Sequence, residues 1–182
     1  MCHFYLTPND ELKSNKLFGS IIEKMKTNQV KPGDLSPLLL VKDGKYAASA
    51  GIFGFPFQDK LIVNARMESV SEKPFFKQSY LYRRCVIPME SFYEVDFSKR
   101  EHLLKSPTQK MIYAAGIYKG DRFVLLTCSS KEYFPTFKIP RMPKLLKRED
   151  IKAYLEKPLS IEELNSLDDE PLFAPEEVRP LL

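Results

Sequence analysis

Met111-Ile-Tyr-Ala-Ala-Gly-Ile-Tyr118 and Phe123-Val-Leu-Leu-Thr-Cys128 are two apolar, β-prone runs separated by Lys119-Gly-Asp-Arg122. Runs of this kind, set a hairpin's length apart by turn residues, define an antiparallel pair. The same pattern recurs upstream at residues 38–41, 46–52, 61–64, 85–88 and 92–96, punctuated by Asp43-Gly44, Pro56, Pro74 and Pro107. Many short strands with few helices between them indicate an α+β domain of mostly antiparallel strands, not a βαβ repeat. The spacing of Leu12, Leu17, Phe18, Ile21, Ile22 and Met25 predicts one amphipathic helix over residues 9–27, with Thr7 or Asn9 as its cap. Two short helices are expected near the end, over 147–155 and 160–167, the second opened by a Ser160–Glu163 capping box. The final fifteen residues are proline-rich and acidic and are expected to be loosely held.

The length of 182 residues suits one well-packed core. Apolar residues make up 43% and charged residues 29% of the chain, the balance of an ordinary globular protein. No apolar run approaches the roughly 20 residues of a membrane-spanning helix. The first residues lack a basic segment followed by an apolar one, so no secretory signal is expected, and a cytoplasmic, reducing location follows. The three cysteines, Cys2, Cys85 and Cys128, show no paired spacing that would suit a disulfide framework or a zinc site. The net charge of +4 hides an asymmetry. Of 28 basic and 24 acidic residues, two bases and eight acids fall in 156–182, which leaves +10 on the body. A basic body is compatible with a polyanionic partner such as nucleic acid, and equally with a solvated basic face.

Five stretches offer chemistry. Removal of Met1 would expose Cys2 as a 1,2-aminothiol, whose amine condenses with an aldehyde and whose thiolate then closes a thiazolidine ring. With reference values of about 7.7–8.0 for the amine and about 8.5 for the thiol, both groups are partly deprotonated near neutrality. Cys2 could equally be an amidohydrolase nucleophile with its own amine as base, or a residue of a frayed terminus. In residues 61–69, strand alternation puts Asn64, Arg66 and Glu68 on one side, as a polar site or as a solvent-facing edge. Residues 73–84 hold four bases (Lys73, Lys77, Arg83, Arg84), four aromatics and no acid, a mixture suited to a single nucleic-acid strand, although Phe75 and Phe76 also suit a core. Residues 138–148 add five bases, Arg141 among them, with prolines that favour an extended loop. Glu94 lies in an apolar, aromatic run, where desolvation raises a carboxyl toward general acid–base use and where an arginine partner is the other reading. Cys85 and Cys128 read as small core residues.

Met1-Cys2, Asn64-Ala-Arg-Met-Glu68, Arg83-Arg-Cys-Val-Ile-Pro88, Ser91-Phe-Tyr-Glu94 and Arg141-Met-Pro143, in this order, resemble the SOS-response-associated peptidase (SRAP) family. The resemblance implies a curved, partly open barrel-like sheet over residues 2–155, with 156–182 as an acidic helix and tail packed on it or trailing from it. It implies an abasic-site processing protein that cross-links through Cys2 to the aldehyde of an abasic site in single-stranded DNA, after self-removal of Met1. By position, Cys2, Asn64 and Glu94 take the catalytic roles of nucleophile, orienting amide and proton shuttle. Arg66 and Arg141 bind flanking phosphates, with Arg83, Arg84, Lys73 and Lys77 as further DNA contacts, and Glu68 holds the Arg83-Arg84 region. No metal or organic cofactor is implied, and a monomer suffices. A non-catalytic single-stranded DNA-binding module and a thiol peptidase acting on other proteins are the alternatives.

Three positions depart from the family's pattern. Ile139 stands where a histidine usually precedes the Arg-Met-Pro arginine by two residues, His3-Phe4 replaces Gly-Arg, and Val95 replaces a tryptophan. His3 neighbours Cys2 and is a candidate to compensate for the missing histidine, although strand alternation points it the other way.

Overall fold

A computed structural model of the chain describes residues 2–130, 139–167 and 178–180. In chain order the elements are β1 (Tyr5–Leu6), α1 (Asn9–Lys13), α2 (Gly19–Ile22), β2 (Gln29–Val30), β3 (Leu35–Lys42), β4 (Lys45–Phe53), β5 (Phe55–Phe57), β6 (Lys60–Ile62) and β7 (Asn64–Arg66). A 3-10 turn (Met67–Ser69) leads to α3 (Pro74–Tyr82), β8 (Arg84–Met89), β9 (Ser91–Val95), β10 (Arg100–Lys105), β11 (Ile112–Lys119) and β12 (Arg122–Ser129). Then come β13 (Arg141–Pro143), β14 (Leu145–Leu146), a 3-10 turn (Arg148–Asp150), α4 (Ile151–Glu156), α5 (Ile161–Ser166) and β15 (Val178–Pro180).

The larger sheet runs β13-β12-β4-β3-β8-β11-β14, and β11 also pairs with β12, so its path returns on itself. The ring is tight at the β11–β12 hairpin and open at two seams: β3 meets β8 at one residue pair, Leu39↔Val86, and β4 meets β12 at two. This is the α+β, partly closed barrel the sequence implies. Gly116 lets β11 pass between β8 and β12, because a side-chain carbon there would meet Ile87 and come within 2.9 Å of the Val124 carbonyl. The second sheet runs β15-β10-β9-β1-β2. β8 and β9, adjacent in sequence, belong to different sheets, and Pro88 lies inside β8.

Alternation sorts the apolar residues into two layers. Cys85, Ile87, Ala114, Phe123 and Leu125 face an inner cluster shared with Tyr5 and Phe92 of the second sheet. Val86, Ala115, Ile117, Val124 and Leu126 face an outer cluster covered by α3, α4 and α5 through Phe76, Tyr80, Tyr154 and Leu164. Each Val, Leu, Ile or Phe side chain so removed from water contributes about 1.5–3 kcal/mol before entropy is counted.

Residues 9–27 form two short helices instead of one. Asn15 breaks the path: its side chain accepts from the Leu17 backbone N–H at 2.9 Å, a local bond that competes with helix, and Gly19 follows. Leu12, Phe18, Ile21 and Ile22 still gather in one small cluster, so the apolar spacing served packing without a continuous helix. The basic and aromatic stretch 73–84, read as suited to binding a single nucleic-acid strand, folds mostly as α3, with Phe76 buried and Phe75, Lys73 and Lys77 exposed. The Ser160–Glu163 capping box opens α5. Residues 178–180 pair with β10 as an edge strand; the acids at 168–170, 176 and 177 and the base Lys138 lie outside the described residues.

Candidate active site

The start of the chain enters the inner layer because β1 pairs with both β2 and β9, Tyr5 standing opposite Val30 and Phe92. Cys2 is fully buried there, in the cluster that holds Tyr5, Val63, Phe92, Ile139 and Met142. Its Sγ lies 3.5 Å from the Phe4 carbonyl oxygen. Asn64, at the head of β7, donates from Nδ2 to the Cys2 carbonyl at 2.9 Å. The Asn64 Oδ1 is buried and has no hydrogen-bond partner among the described residues, so the amide anchors the chain start and keeps an acceptor in reserve.

Glu94 is fully buried, on the same face of β9 as Phe92, while Tyr93 and Val95 are half-buried. Burial pushes its carboxyl up to about 7, against the pull of the amino-terminal charge, the Val95 N–H and the Arg141 charge. Burial also pushes the Cys2 thiol well above its ordinary value, and the Glu94 charge pushes it further. The resting thiol is therefore protonated, with a carboxylate in electrostatic reach that titrates near neutrality. Outside this pair, Phe4 stacks on Tyr93 with ring centroids 4.5 Å apart, and Lys31 lies 5.5 Å from the Phe4 ring.

Arg141, half-buried on β13, donates from Nη2 to both Glu68 oxygens, at 2.8 and 3.1 Å, and to the Thr127 carbonyl at 2.6 Å; its Nε reaches Thr127 Oγ1 at 3.2 Å. The register Arg66↔Thr127 brings exposed Arg66 to the same end of β12. Asn64, Arg66, Glu68 and Arg141 thus converge. Glu68 holds Arg141, however, and not the Arg83-Arg84 region, because the strand ends at Arg66 and the following 3-10 turn carries Glu68 toward β13.

Arg84 is corrected from a DNA contact to a structural one. It is 7% exposed, and its guanidinium donates to the carbonyls of Tyr80 and Leu81 in α3 and of Tyr154 and Leu155 in α4. It caps the ends of both helices, where orphan carbonyls need donors, and has no face to offer a phosphate. In the other basic segment Lys144 is buried with its Nζ on the Leu167 carbonyl at 2.7 Å, while Lys147 and Arg148 are exposed. Lys73 and Lys77 ride on α3, which packs on the outer layer, and half-buried Arg83 ends that helix; the contacts that gather Cys2, Asn64 and Glu94 do not reach them. His3 is exposed while Cys2 is buried, as strand alternation anticipates. The sequence reading missed a buried pair, Asp96 and His102, which lies beside Glu94 on the β9–β10 hairpin. The signal for it was the polar stretch Ser98-Lys-Arg-Glu101 between the run ending at Val95 and His102-Leu-Leu104. Among the described residues no group of three or more His, Cys, Asp or Glu side chains could hold a metal ion.

Fold and site together define a barrel-based α+β protein with a thiol near its amino end beside a buried carboxylate. The family model described as SOS response associated peptidase (SRAP) matches residues 23–178, and the chain belongs to that family. The matched span holds Asn64, Arg66, Glu94 and Arg141 and begins after Cys2. Among curated relatives, the abasic site processing protein YoqW of Bacillus subtilis (strain 168) is 31% identical over 106 residues, 52% of this chain and 47% of that protein. The abasic site processing protein YoaM of the same organism is 30% identical over an equal span. The alignment thus spans about half the length of these relatives. Crystal structures of a Bordetella bronchiseptica protein (TM-score 0.72, 17% identity, covering 99% of this chain and 100% of that one) and of a Bacteroides thetaiotaomicron protein (0.69, 18%, 94% and 90%) share the fold.

Proposed function

We propose that this protein processes abasic sites in single-stranded DNA by forming a covalent thiazolidine cross-link through Cys2, once Met1 has been removed by the protein itself. The observation that carries the reading is the placement of Cys2 between Asn64 and Glu94: a 2.9 Å hydrogen bond fixes its carbonyl, and a buried carboxyl that titrates near neutrality lies in reach of its thiol. The Cys2 amine attacks the aldehyde carbon of the ring-opened sugar and water leaves, giving an imine. The thiol sulfur then adds to the imine carbon, its proton passes through Glu94 to the ring nitrogen, and the five-membered ring closes. Asn64 orients the cysteine, and its second amide atom is available to the opened sugar. Arg66 and Arg141 are assigned to the flanking phosphates, with Arg83, Lys73 and Lys77 as more distant basic contacts. The names of the curated relatives support this substrate class.

The test is a denaturing gel of tag-free protein with single-stranded DNA carrying one abasic site. A heat-stable shifted band that needs both the lesion and Cys2 supports the reading; its absence with Met1 removed and DNA bound refutes it. One observation favours a binding module without chemistry: Ile139, at the position of the family histidine, is 2% exposed in the Cys2 cluster and offers no proton. In that case the same gel shows no band while affinity for single-stranded DNA persists.

A further inference from the structure

The hairpin that carries Glu94 also holds a second buried titratable pair, which the chemistry above leaves unused. Asp96 and His102 are 5% and 1% exposed, and His102 Nε2 lies 3.0 Å from Asp96 Oδ2. Asp96 is itself fixed: Oδ1 accepts the Arg100 backbone N–H at 2.9 Å and Oδ2 accepts Arg100 Nε at 3.2 Å. In the antiparallel β9–β10 pair His102 stands opposite Glu94, and Leu104 opposite Phe92. Directly opposed residues point to one face, with Cβ atoms about 4.5–5.5 Å apart. All four are buried while Tyr93, Val95, Glu101, Leu103 and Lys105 between and beside them are half-buried, and Phe92 and Leu104 join the inner cluster, which makes that face the inner one.

We infer that His102, held by Asp96, is a positioning residue for Glu94 and exchanges with its carboxyl the proton that imine formation and ring closure require. The inference deepens the proposed function and rests on Glu94 acting there as acid and base. In the step, a proton passes from the imidazolium to the Glu94 carboxylate and leaves a neutral imidazole and a carboxylic acid; the reverse transfer restores both, so no further reactant is needed. Glu94 is fully buried, so its carboxyl gains and loses protons through neighbouring groups. Burial alone would raise the Asp96 carboxyl, but the bonds from His102 and from the Arg100 N–H and the Arg100 charge hold it at about 2, a standing anion behind the imidazole. The charged and titratable groups around the pair are Glu94 and Asp96 from β9 and its turn and Arg100 from the histidine's own strand. Cys2 and Arg141 act on Glu94 from its other side, and β15 offers the backbone of Val178.

The test has two arms. The chain contains two histidines, so in His3→Gln the imidazole signals seen by NMR belong to His102. A step near pH 7 in those signals, lost on adding Glu94→Gln, is the expected result; identical curves with and without Glu94 overturn the inference whether or not a cross-link forms. In the second arm, His102→Gln and Asp96→Asn slow cross-linking by about 10-fold near neutrality and change the shape of its pH profile, while affinity for intact single-stranded DNA holds. Wild-type rates and profile in both variants, or a uniform drop that follows loss of folded protein, overturn it. A wild-type protein that never cross-links removes the proposed reaction, and the NMR arm still decides whether the two groups share a proton.

Discussion

Asn64 and Cys2, 62 residues apart, are joined by one hydrogen bond from an amide nitrogen to a backbone carbonyl, 2.9 Å long. It holds Cys2, the proposed nucleophile, where β7 meets the inner layer, and a shift of about 1 Å in a reacting group costs on the order of 100-fold in rate. Asn64→Ala is therefore expected to lower the cross-linking rate by about 10–100-fold while leaving the affinity for intact single-stranded DNA within a factor of two or so of wild type. Single-turnover gel kinetics beside a binding titration check this, and an unchanged rate removes Asn64 from the site.

Glu94 sets a pH dependence of both stability and rate. Its folded-state carboxyl is raised to about 7 from an ordinary 4.5, so between these values the folded chain binds the proton more strongly than the unfolded one. Stability from this group is full below about pH 4.5 and declines as pH rises to about 7, by up to about 3 kcal/mol. Glu94→Gln removes that decline: its melting temperature relative to wild type should be higher at pH 8 than at pH 5, while its cross-linking falls by about 100-fold or more. A gap that stays constant across this range contradicts the assignment.

The Glu68–Arg141 pair works in the opposite direction. Burial would raise the Glu68 carboxyl, but the Arg141 hydrogen bond and charge, aided by Arg66, hold it below its ordinary 4.5. Its contribution is present above that value and is lost as pH falls through the lowered one. Because Glu68 is 44% exposed in its side chain, solvent screening limits the effect of Glu68→Gln at pH 7 to about 0–1 kcal/mol. The larger consequence is expected in binding: Arg141, no longer held by the carboxylate, should grip single-stranded DNA with altered salt dependence, read from affinity at several ionic strengths.

Arg84 and the lysines of α3 should separate cleanly. Arg84→Met leaves four helix-end carbonyls without their donor and is expected to cost about 3 kcal/mol or more of stability, with unchanged DNA affinity per folded molecule. Lys73→Ala and Lys77→Ala are exposed changes that should leave the melting temperature nearly unchanged. If these lysines meet phosphates, each reduces the log–log salt slope by about 0.7. An unaltered slope in both variants confines the DNA to the Arg66–Arg141 side.

The barrel strands were legible because residues such as 85–88 and 123–128 are apolar runs closed by turn residues, and local pattern is enough to set them. β10 escaped notice because Arg100-Glu-His-Leu-Leu-Lys105 is rich in charge, and its strand form depends on pairing with β9. Cys2, Asn64 and Glu94 stood out by chemistry, and the fold brings them together. Glu68 and Arg141 stood out too, yet their pairing across 73 residues is set by tertiary structure. The burial of Arg84 is likewise invisible in Arg83-Arg84, because it depends on α4 packing beside α3 and offering its carbonyls. The missing histidine at Ile139 directed attention to His3, which is exposed, whereas the buried imidazole beside Glu94 belongs to His102.

The central claim is the bond that Cys2 makes, and the most direct measurement is the intact mass of the product formed with a single-stranded oligonucleotide bearing one abasic site, with and without borohydride. A thiazolidine through Cys2 predicts the mass of the chain lacking Met1 plus the oligonucleotide less one water, unchanged by borohydride and absent from Cys2→Ser. A product that gains two hydrogens on reduction, that forms in Cys2→Ser, or that retains Met1 contradicts it.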